Sequence, residues 1–444
     1  MKKFLLGLSV LAAVGVGAVA VFVAVASRDV PPPDEAEFRL ERPEVAPEAN
    51  AYTYFLQATN LLVETTNAAR IVNYLAGQAE DDGELRELVA KNAECLALVK
   101  RGAECAICQM PAVESFDSES PFLTSWLKIG KVLSIQSRQA RLAGRTEEAS
   151  AAALTAARLG NLVQQNAESM IHYLVGETIA NAALEQIVEL AVDPKTPSAV
   201  LENLAKELDG LGPFDAGLAR AFKAESRLAA LTIDQLANGQ IDLIDLLAFG
   251  NAERNFRTRL LNGIARSGYC FQPHATRGRI QDFYRKMIPD VSLPYARIDP
   301  AYGREFGRGW PDLLRPNAVG RLLRVLLIPP VGITMAKKCR TESLLSGARL
   351  AVACHRFDRE QGRFPETLQE LVPDFLAEVP RDPFDGAPFR YSAEKGLAWS
   401  VGKNLTDEGG STRVASSDKE RLASRDRSKA EDFVIELRAA EKAE

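Results

Sequence analysis

Hydrophobic spacing divides the chain into an apolar N-terminus, a long helical part and a C-terminal part with strand-like patterns. Across residues 51–211, apolar side chains recur every three or four residues, as at Leu85 and Leu88, which predicts a helical domain. Residues 212–340 combine such spacing with Gly-Pro breaks and longer loops, so a loop-rich, mainly helical region is expected. Residues 341–444 begin as a helix and continue with short strand-like segments, typical of a small α+β module. The predicted fold class is mainly α.

The N-terminus predicts a transmembrane signal anchor over residues 1–27. Residues 4–26 form an uncharged run of 23 residues, and at about 1.5 Å per residue this run spans a bilayer core of about 30 Å. Lys2 and Lys3 precede the run and acidic residues follow it, so the positive-inside rule keeps the N-terminus in the cytoplasm. The protein is then a single-pass protein of the inner (cytoplasmic) membrane, with its bulk periplasmic or extracytoplasmic. A cleavable signal peptide is the alternative, because small residues precede Ser27 at the spacing of a cleavage site.

Residues 28–50 are rich in proline and in acidic side chains, and include the run Pro31-Pro32-Pro33. This composition predicts an extended linker that lifts the folded part off the membrane. The alternative is that the segment packs on the folded part as a strap.

The stretch 131–165 predicts a helical hairpin, in which Gly144 ends the first helix in a left-handed conformation. The run Leu142-Ala143-Gly144-Arg145-Thr146-Glu147-Glu148-Ala149 resembles the turn of a tetratricopeptide unit. That family stacks its repeats into a concave protein-binding surface. Because the sequence holds no second clean copy at that period, an irregular helical bundle is favoured over a repeat array.

The charge distribution bears on the partners of the protein. The chain has 54 Lys and Arg against 59 Asp and Glu, a net charge of −5, which leaves no global basic field for nucleic acid. Residues 254–340 nevertheless carry 17 Lys and Arg against 5 Asp and Glu, a local charge of +12. Such a segment can hold anionic lipid headgroups, a polyanionic wall polymer or nucleic acid. The favoured interpretation is that it faces the acidic remainder of its own chain, and no nucleic-acid partner is expected.

The pattern of the C-terminal module predicts one helix and a small antiparallel sheet. The helix covers residues 344–361 and is broken by Gly362. Strand-like segments follow at residues 389–391, 397–402 and 433–437.

Three short motifs of this module follow one another in a fixed order. They are Gly362-Arg363-Phe364-Pro365, Asp382-Pro383-Phe384-Asp385-Gly386 and Ser400-Val401-Gly402-Lys403-Asn404. This order resembles the soluble domain of type II secretion pseudopilins and related type IV pilin-like proteins. In that family the module directly follows a membrane helix that contains a Glu, whereas here about 315 residues intervene and residues 4–26 contain no acid. Assembly into a pilus is therefore not expected.

The chain as a whole resembles the single-anchor envelope proteins of planctomycete-type bacteria, which join an Ala-rich helical region to such a module. This resemblance implies no particular activity. It favours a membrane-tethered scaffold or protein-interaction protein of the bacterial envelope, which contacts the membrane through residues 4–26 and binds one or more proteins. The alternatives are an accessory component of a type II secretion or type IV pilus-like system and an enzyme whose active site matches no motif.

The resemblance to pseudopilins implies one candidate metal site. In the major pseudopilins the corresponding hairpin loop holds calcium, and in this chain Asn404, Asp407 and Glu408 supply hard oxygen ligands in that loop. The loop lacks a regular calcium-binding spacing, so a solvated hairpin tip is the alternative. No other cofactor is expected.

The cysteines and histidines form no recognisable catalytic motif. Six cysteines outside the cytoplasm permit disulfides, whose connectivity the sequence leaves open. Cys105 and Cys108 form a single CxxC pair without a βαβ context, and His172 lies in an apolar helix and is predicted to be a core residue. The sequence contains no phosphate loop, nucleophile elbow, HExxH motif or dinucleotide fingerprint outside the apolar N-terminus. No catalytic residue is therefore assigned and no small-molecule substrate is identified.

Overall fold

The computed structural model describes residues 2–64, 68–81, 83–115, 120–247, 256–298, 315–411 and 432–438, with side chains from residue 14 onward. Within these residues the protein is mainly helical and has one small sheet of three strands, which confirms the mainly-α class. The helices are Lys2–Ala26 (α1), Ala51–Leu61 (α2), Ala68–Leu75 (α3), Gly83–Lys91 (α4), Ala93–Ala103 (α5), Phe122–Leu142 (α6), Thr146–Gln165 (α7), Met170–Ala191 (α8), Ser198–Asp209 (α9), Phe214–Ala237 (α10), Leu243–Leu247 (α11), Phe256–Ala265 (α12), Pro273–Asp290 (α13), Ala318–Leu327 (α14) and Val331–Gln361 (α15). The strands are Arg390–Ser392 (β1), Leu397–Ser400 (β2) and Phe433–Glu436 (β3).

The centre of the helical part is the packing of α8 on α7. Both helices carry a glycine at the point of contact, because a side chain on either one would strike the other backbone. A Cβ on Gly160 would lie 2.5 Å from the Ala180 nitrogen, and one on Gly176 would lie 2.6 Å from the Gly160 oxygen. The predicted hairpin of α6 and α7 is present, and Gly144 between them has a φ of 75°.

Helix α15 connects the helical part to the C-terminal sheet. It packs against α8 and α9 and against β2 and β3, and all of these elements contribute to one hydrophobic core. Gly347 lets β3 approach the helix, since a Cβ there would lie 2.0 Å from Ile435 Cδ1. The predicted boundary between residues 340 and 341 thus falls inside this helix.

The sheet is antiparallel with the order β1-β2-β3. Tyr391 pairs with Ala398, which in turn pairs with Ile435. Ala398 and Ile435 are buried against α15, so the sheet covers the C-terminal half of that helix. The three strands correspond to the three strand-like segments of the sequence.

Residues 28–50 lie on the helical part as a strap, and the expectation of an extended spacer is wrong. Asp29 accepts hydrogen bonds from the backbone nitrogens of His274 and Ala275, at 2.8 and 3.0 Å. Phe38 is buried, and Arg42 forms an ion pair of 2.8 Å with Glu168. Asp29, Phe38 and Arg42 thus have partners on the fold, and these contacts outweigh the tendency of the segment to stay extended.

One stretch in the described part, Ala318–Gln361, is long and apolar enough to cross a membrane by length and composition. It consists of α14 and α15, which Pro329 and Pro330 separate. Half of its most apolar window is buried, because α15 is a core helix. In α1 the described side chains form the shorter apolar stretch Val14–Ala26.

Candidate functional site

The turn at residues 382–386 is organised by a single buried carboxylate. Asp382 is fully buried, and its Oδ1 accepts hydrogen bonds from the Phe384 nitrogen at 2.9 Å and from Ser400 Oγ at 2.7 Å. Its Oδ2 accepts from the Val401 nitrogen at 2.9 Å and from Arg390 Nη1 at 2.8 Å. Four donors satisfy this charge, so Asp382 ties the turn to the end of β2 and has a structural role.

Arg390 on β1 links this turn to the hairpin loop. Besides Asp382 it binds Asp385, and its Nε lies 3.6 Å from Asp407 Oδ2. The hydrogen bond from Arg390 holds the pKa of Asp385 below its ordinary value. Three carboxylates therefore share one guanidinium at this end of the sheet.

The three residues of the predicted calcium site lie in this loop and have protein partners. Asp407 Oδ1 accepts hydrogen bonds from Trp399 Nε1 and from the Gly409 nitrogen, both at 2.9 Å, and the Trp399 bond is the main reason why the pKa of Asp407 is lowered. Asn404 Nδ2 donates to Glu408 Oε1 at 2.8 Å. The loop is thus shaped by its own side chains.

Asp432 is a member of this site that sequence reasoning missed. Its Oδ2 accepts from the backbone nitrogens of Glu408 and Gly410, at 3.0 and 2.9 Å, and its own nitrogen donates to Glu408 Oε2 at 2.9 Å. Its Oδ1 is buried and has no hydrogen-bond partner among the described residues. Burial, followed by the repulsion of Glu408 and Asp407, raises the pKa of Asp432. The only feature of the sequence that could have pointed to Asp432 is its position directly before β3.

The loop places three carboxylates close together, on Asp407, Glu408 and Asp432, but most of their oxygens accept hydrogen bonds from the protein. Across the described ranges no group of three or more His, Cys, Asp or Glu side chains is arranged to hold a metal ion. A cation at this loop would have to replace some of these bonds. Calcium binding by Asn404, Asp407 and Glu408 stays a prediction.

A second polar group lies inside the fold where α8, α10 and α15 meet. This group, here called the Lys338 cluster, consists of Lys338, Asp215, Glu342, Glu177 and Tyr173. Lys338 Nζ lies 2.5 Å from Asp215 Oδ1 and 2.9 Å from Glu342 Oε2, and it donates to the Val291 oxygen at 2.9 Å. Of these contacts only the ion pair of Lys338 with Glu342 could be expected from the sequence, because residues four positions apart are neighbours on a helix.

Burial controls the protonation of the Lys338 cluster. It raises the pKa of Glu342 and of Glu177 to about 7, although Lys338 acts against it at Glu342. The Tyr173 hydroxyl is buried without a hydrogen-bond partner among the described residues. Perturbed acids can mark an active site. Three clefts lined by described residues, near Glu35, Val89 and Glu147, do not include the cluster. The ion pairs of Lys338 with Asp215 and Glu342 join α10 to α15.

The remaining titratable candidates have structural partners. His172 is buried as predicted, with Nε2 3.1 Å from Ser120 Oγ, and burial lowers its pKa to about 4. His355 Nε2 lies 2.8 Å from the Leu437 oxygen and holds the end of the chain after β3 to α15. All six cysteines are free thiols, and burial raises the pKa of Cys105 and Cys108, which disfavours the reactive thiolate.

The comparisons with known proteins add no relative to this description. No known protein family, no curated protein and no solved structure matches the chain.

Proposed function

We propose that the protein is a membrane-tethered scaffold of the bacterial envelope, anchored by α1 and binding other proteins through its extracytoplasmic part. The observation that carries this proposal is the contrast between the two parts of α1. Its described side chains are apolar and exposed, as at Val16 and Phe22, whereas its C-terminal end is bound to the helical part. Gln272 Nε2 donates to the Ala26 oxygen at 2.5 Å.

The dimensions and flanking charges of α1 support this anchor. The helix has 25 residues, about 37 Å at 1.5 Å per residue, which exceeds a bilayer core of about 30 Å. Exposed apolar side chains are unfavourable in water and favourable in lipid. Lys2 and Lys3 begin the helix, and Asp29 follows it at the start of the strap. The N-terminus then lies in the cytoplasm and the helical part outside.

Extraction at alkaline pH tests the anchor. The full chain should stay with the membrane in carbonate, and the product should begin before Ser27. Val16→Glu combined with Val19→Glu should release the chain, because each carboxylate within a membrane helix costs about 3 kcal/mol. Val16→Leu with Val19→Leu is the matched control and should behave as the parent. A carbonate-soluble parent that begins near Ser27 would replace the anchor with a cleaved signal peptide.

A second candidate function is an accessory role in a type II secretion or type IV pilus-like system. The arrangement that favours it is the order of α15, the turn built on Asp382 and the β1-β2 hairpin, on which the resemblance to pseudopilins depends. A pull-down from detergent extract should then recover a secretion ATPase or pilin-like subunits. Asp382→Ala, which disrupts the turn, should lose them. Recovery of other envelope proteins by both forms favours the general scaffold.

A further inference from the structure

Helix α12 presents its apolar face to the outside of the molecule. Phe256 is 78% exposed, and Leu260, Leu261 and Ile264 are each more than half exposed. At about 100° per residue these four side chains lie on one side of the helix. The buried residue of α12 is the polar Asn262, on the opposite side. An amphipathic helix on a water-exposed surface normally turns its apolar side to the protein core and its polar side to water.

Polar contacts hold α12 in this orientation. Asn262 Oδ1 accepts a hydrogen bond from the Ile244 nitrogen at 3.3 Å. Just after the helix, Arg266 Nη2 donates to Asp242 Oδ1 at 2.6 Å and to the Ile241 oxygen at 3.0 Å. The polar face of α12 is therefore the one attached to the protein, and its apolar face is left for another surface.

The segment that follows α12 packs against the end of α1. Gly268, three residues after α12, packs so closely on Ser27 that a Cβ there would lie 2.7 Å from the Ser27 oxygen. Gln272 binds the last residue of α1, and Asp29 binds the first turn of α13. Because the strap adds no spacer between α1 and the helical part, the C-terminal end of α12 is held near the residue at which α1 ends.

The charge of this part of the chain complements a lipid surface. Arg257 and Arg259 on α12 are exposed. Arginine next to exposed Phe and Leu side chains is typical of helices that lie in the membrane interface, with the apolar face about 5–10 Å into the headgroup and acyl boundary. Anionic headgroups attract such a surface.

We propose that α12 lies in the outer interface of the bilayer that α1 spans, with its apolar face among the acyl chains and its arginines among anionic phosphate headgroups. This inference depends on the proposed anchor, because α1 brings α12 to the bilayer. It adds a second membrane contact, which orients the helical part and leaves the C-terminal module on α15 to bind partners. A second copy of the chain or another protein would be the competing occupant of the same face.

Fluorescence quenching by brominated lipid tests this contact on the full chain. Leu260→Trp places a reporter on the apolar face of α12, and Leu142→Trp is the matched control, since Leu142 at the end of α6 is equally exposed. Each variant is reconstituted into vesicles of phosphatidylcholine and phosphatidylglycerol, with bromine near the headgroup end or near the methyl end of the acyl chain. The emission of the parent chain, which contains Trp126, Trp310 and Trp399, is measured in the same vesicles and subtracted.

The expected result is quenching of the reporter at position 260, stronger with bromine near the headgroup end, and no quenching at position 142. Brominated phosphatidylglycerol should quench more than brominated phosphatidylcholine. Each arginine should enrich the anionic lipid near α12 by about fivefold. Arg257→Gln with Arg259→Gln should remove that preference and keep the quenching itself.

Three other results would overturn the contact. They are no quenching at position 260, equal quenching at positions 260 and 142, and a blue-shifted reporter at position 260 in detergent that lipid bromine does not quench. The third result assigns the face to a second copy of the chain or to another protein. Carbonate extraction of the same vesicles reports on α1 alone. A chain that resists extraction without quenching at position 260 contradicts the α12 contact and leaves the anchor intact, and a chain that carbonate releases contradicts the anchor.

Discussion

Helices α8 and α12 have apolar residues at similar helical spacing and place them in opposite environments. Helix α8 buries its apolar side chains, with Leu184 and Ile187 almost fully covered, and even the polar Glu177 is buried. Helix α12 buries Asn262 and exposes Leu260. Apolar spacing thus identifies a helix, whereas the neighbours of the helix decide which of its sides packs against the protein. In α12 the neighbours leave the apolar side exposed.

A leucine-to-alanine substitution should give the largest difference in stability between α8 and α12. Leu184→Ala on α8 should lower the free energy of unfolding by about 2–5 kcal/mol, because it leaves a cavity in a closed core. Leu261→Ala on α12 should change it by less than about 0.5 kcal/mol in detergent, since this side chain is more than half exposed. Urea denaturation of the detergent-solubilised full chain measures both. Equal costs would mean that Leu261 is covered in the folded chain and would contradict the exposed position of α12.

Replacing a glycine by alanine should change the stability in opposite directions in α8 and α12. Gly176→Ala should destabilise the protein by about 1–3 kcal/mol, because the new Cβ lies 2.6 Å from the Gly160 oxygen and α8 must move away from α7. Gly263→Ala on α12 meets nothing within 4 Å and should stabilise the helix by about 0.5–1 kcal/mol. Thermal melting of the two variants is the measurement. Destabilisation by Gly263→Ala contradicts the open position of α12.

The pH dependence of stability tests the buried acid on α8. Burial raises the pKa of Glu177 to about 7, so the folded chain holds this proton more tightly than the unfolded chain. The stability contributed by the protonated form is present at low pH and falls as the pH rises between 4.5 and 7. Glu177→Gln can still accept the Thr341 hydrogen bond but does not titrate. In this variant the free energy of unfolding should fall less between pH 4.5 and 7 than in the parent, by on the order of 1–2 kcal/mol. A variant and parent with parallel stability profiles from pH 4 to 8 would contradict this assignment.

Calcium should have the smallest effect, and it extends the comparison to the exposed C-terminal loop. If Asn404, Asp407 and Glu408 bind the ion, a fivefold excess over Kd stabilises the chain by about 1 kcal/mol and raises the melting temperature by about 2–4 °C. The rise is small because the ion must displace hydrogen bonds such as that from Trp399. Asp407→Asn keeps an acceptor for Trp399 and removes the charge, so it should abolish the shift. Coincident melting curves in chelator and in millimolar calcium would show that the loop is a turn only.

Features that depend on a few neighbouring residues were predictable from the sequence. Gly144 and Gly362 end their helices with φ angles of 75° and 70°, because glycine adopts the left-handed conformation without a Cβ clash. The strand-like segments of the C-terminal module correspond to β1, β2 and β3 within a few residues. The burial of His172 followed from its apolar helix.

Contacts between distant residues were not predictable. Asp432 reaches the loop at Glu408 across 24 positions of chain, and Asp215 reaches Lys338 from another helix. The strap was misjudged for the same reason, since proline-rich composition describes the isolated segment and the ion pair of Arg42 with Glu168 does not appear in it.

The helical class, the helix ends and the short strands follow from the sequence, because local spacing and glycine chemistry act over a few residues. Three features emerge from the fold alone: the strap lies on the helical part, Asp432 completes the loop, and α12 turns its apolar face outward. The physical reason is that burial is a property of neighbours. The same leucine contributes several kcal/mol when other helices cover it and contributes to binding when they leave it exposed.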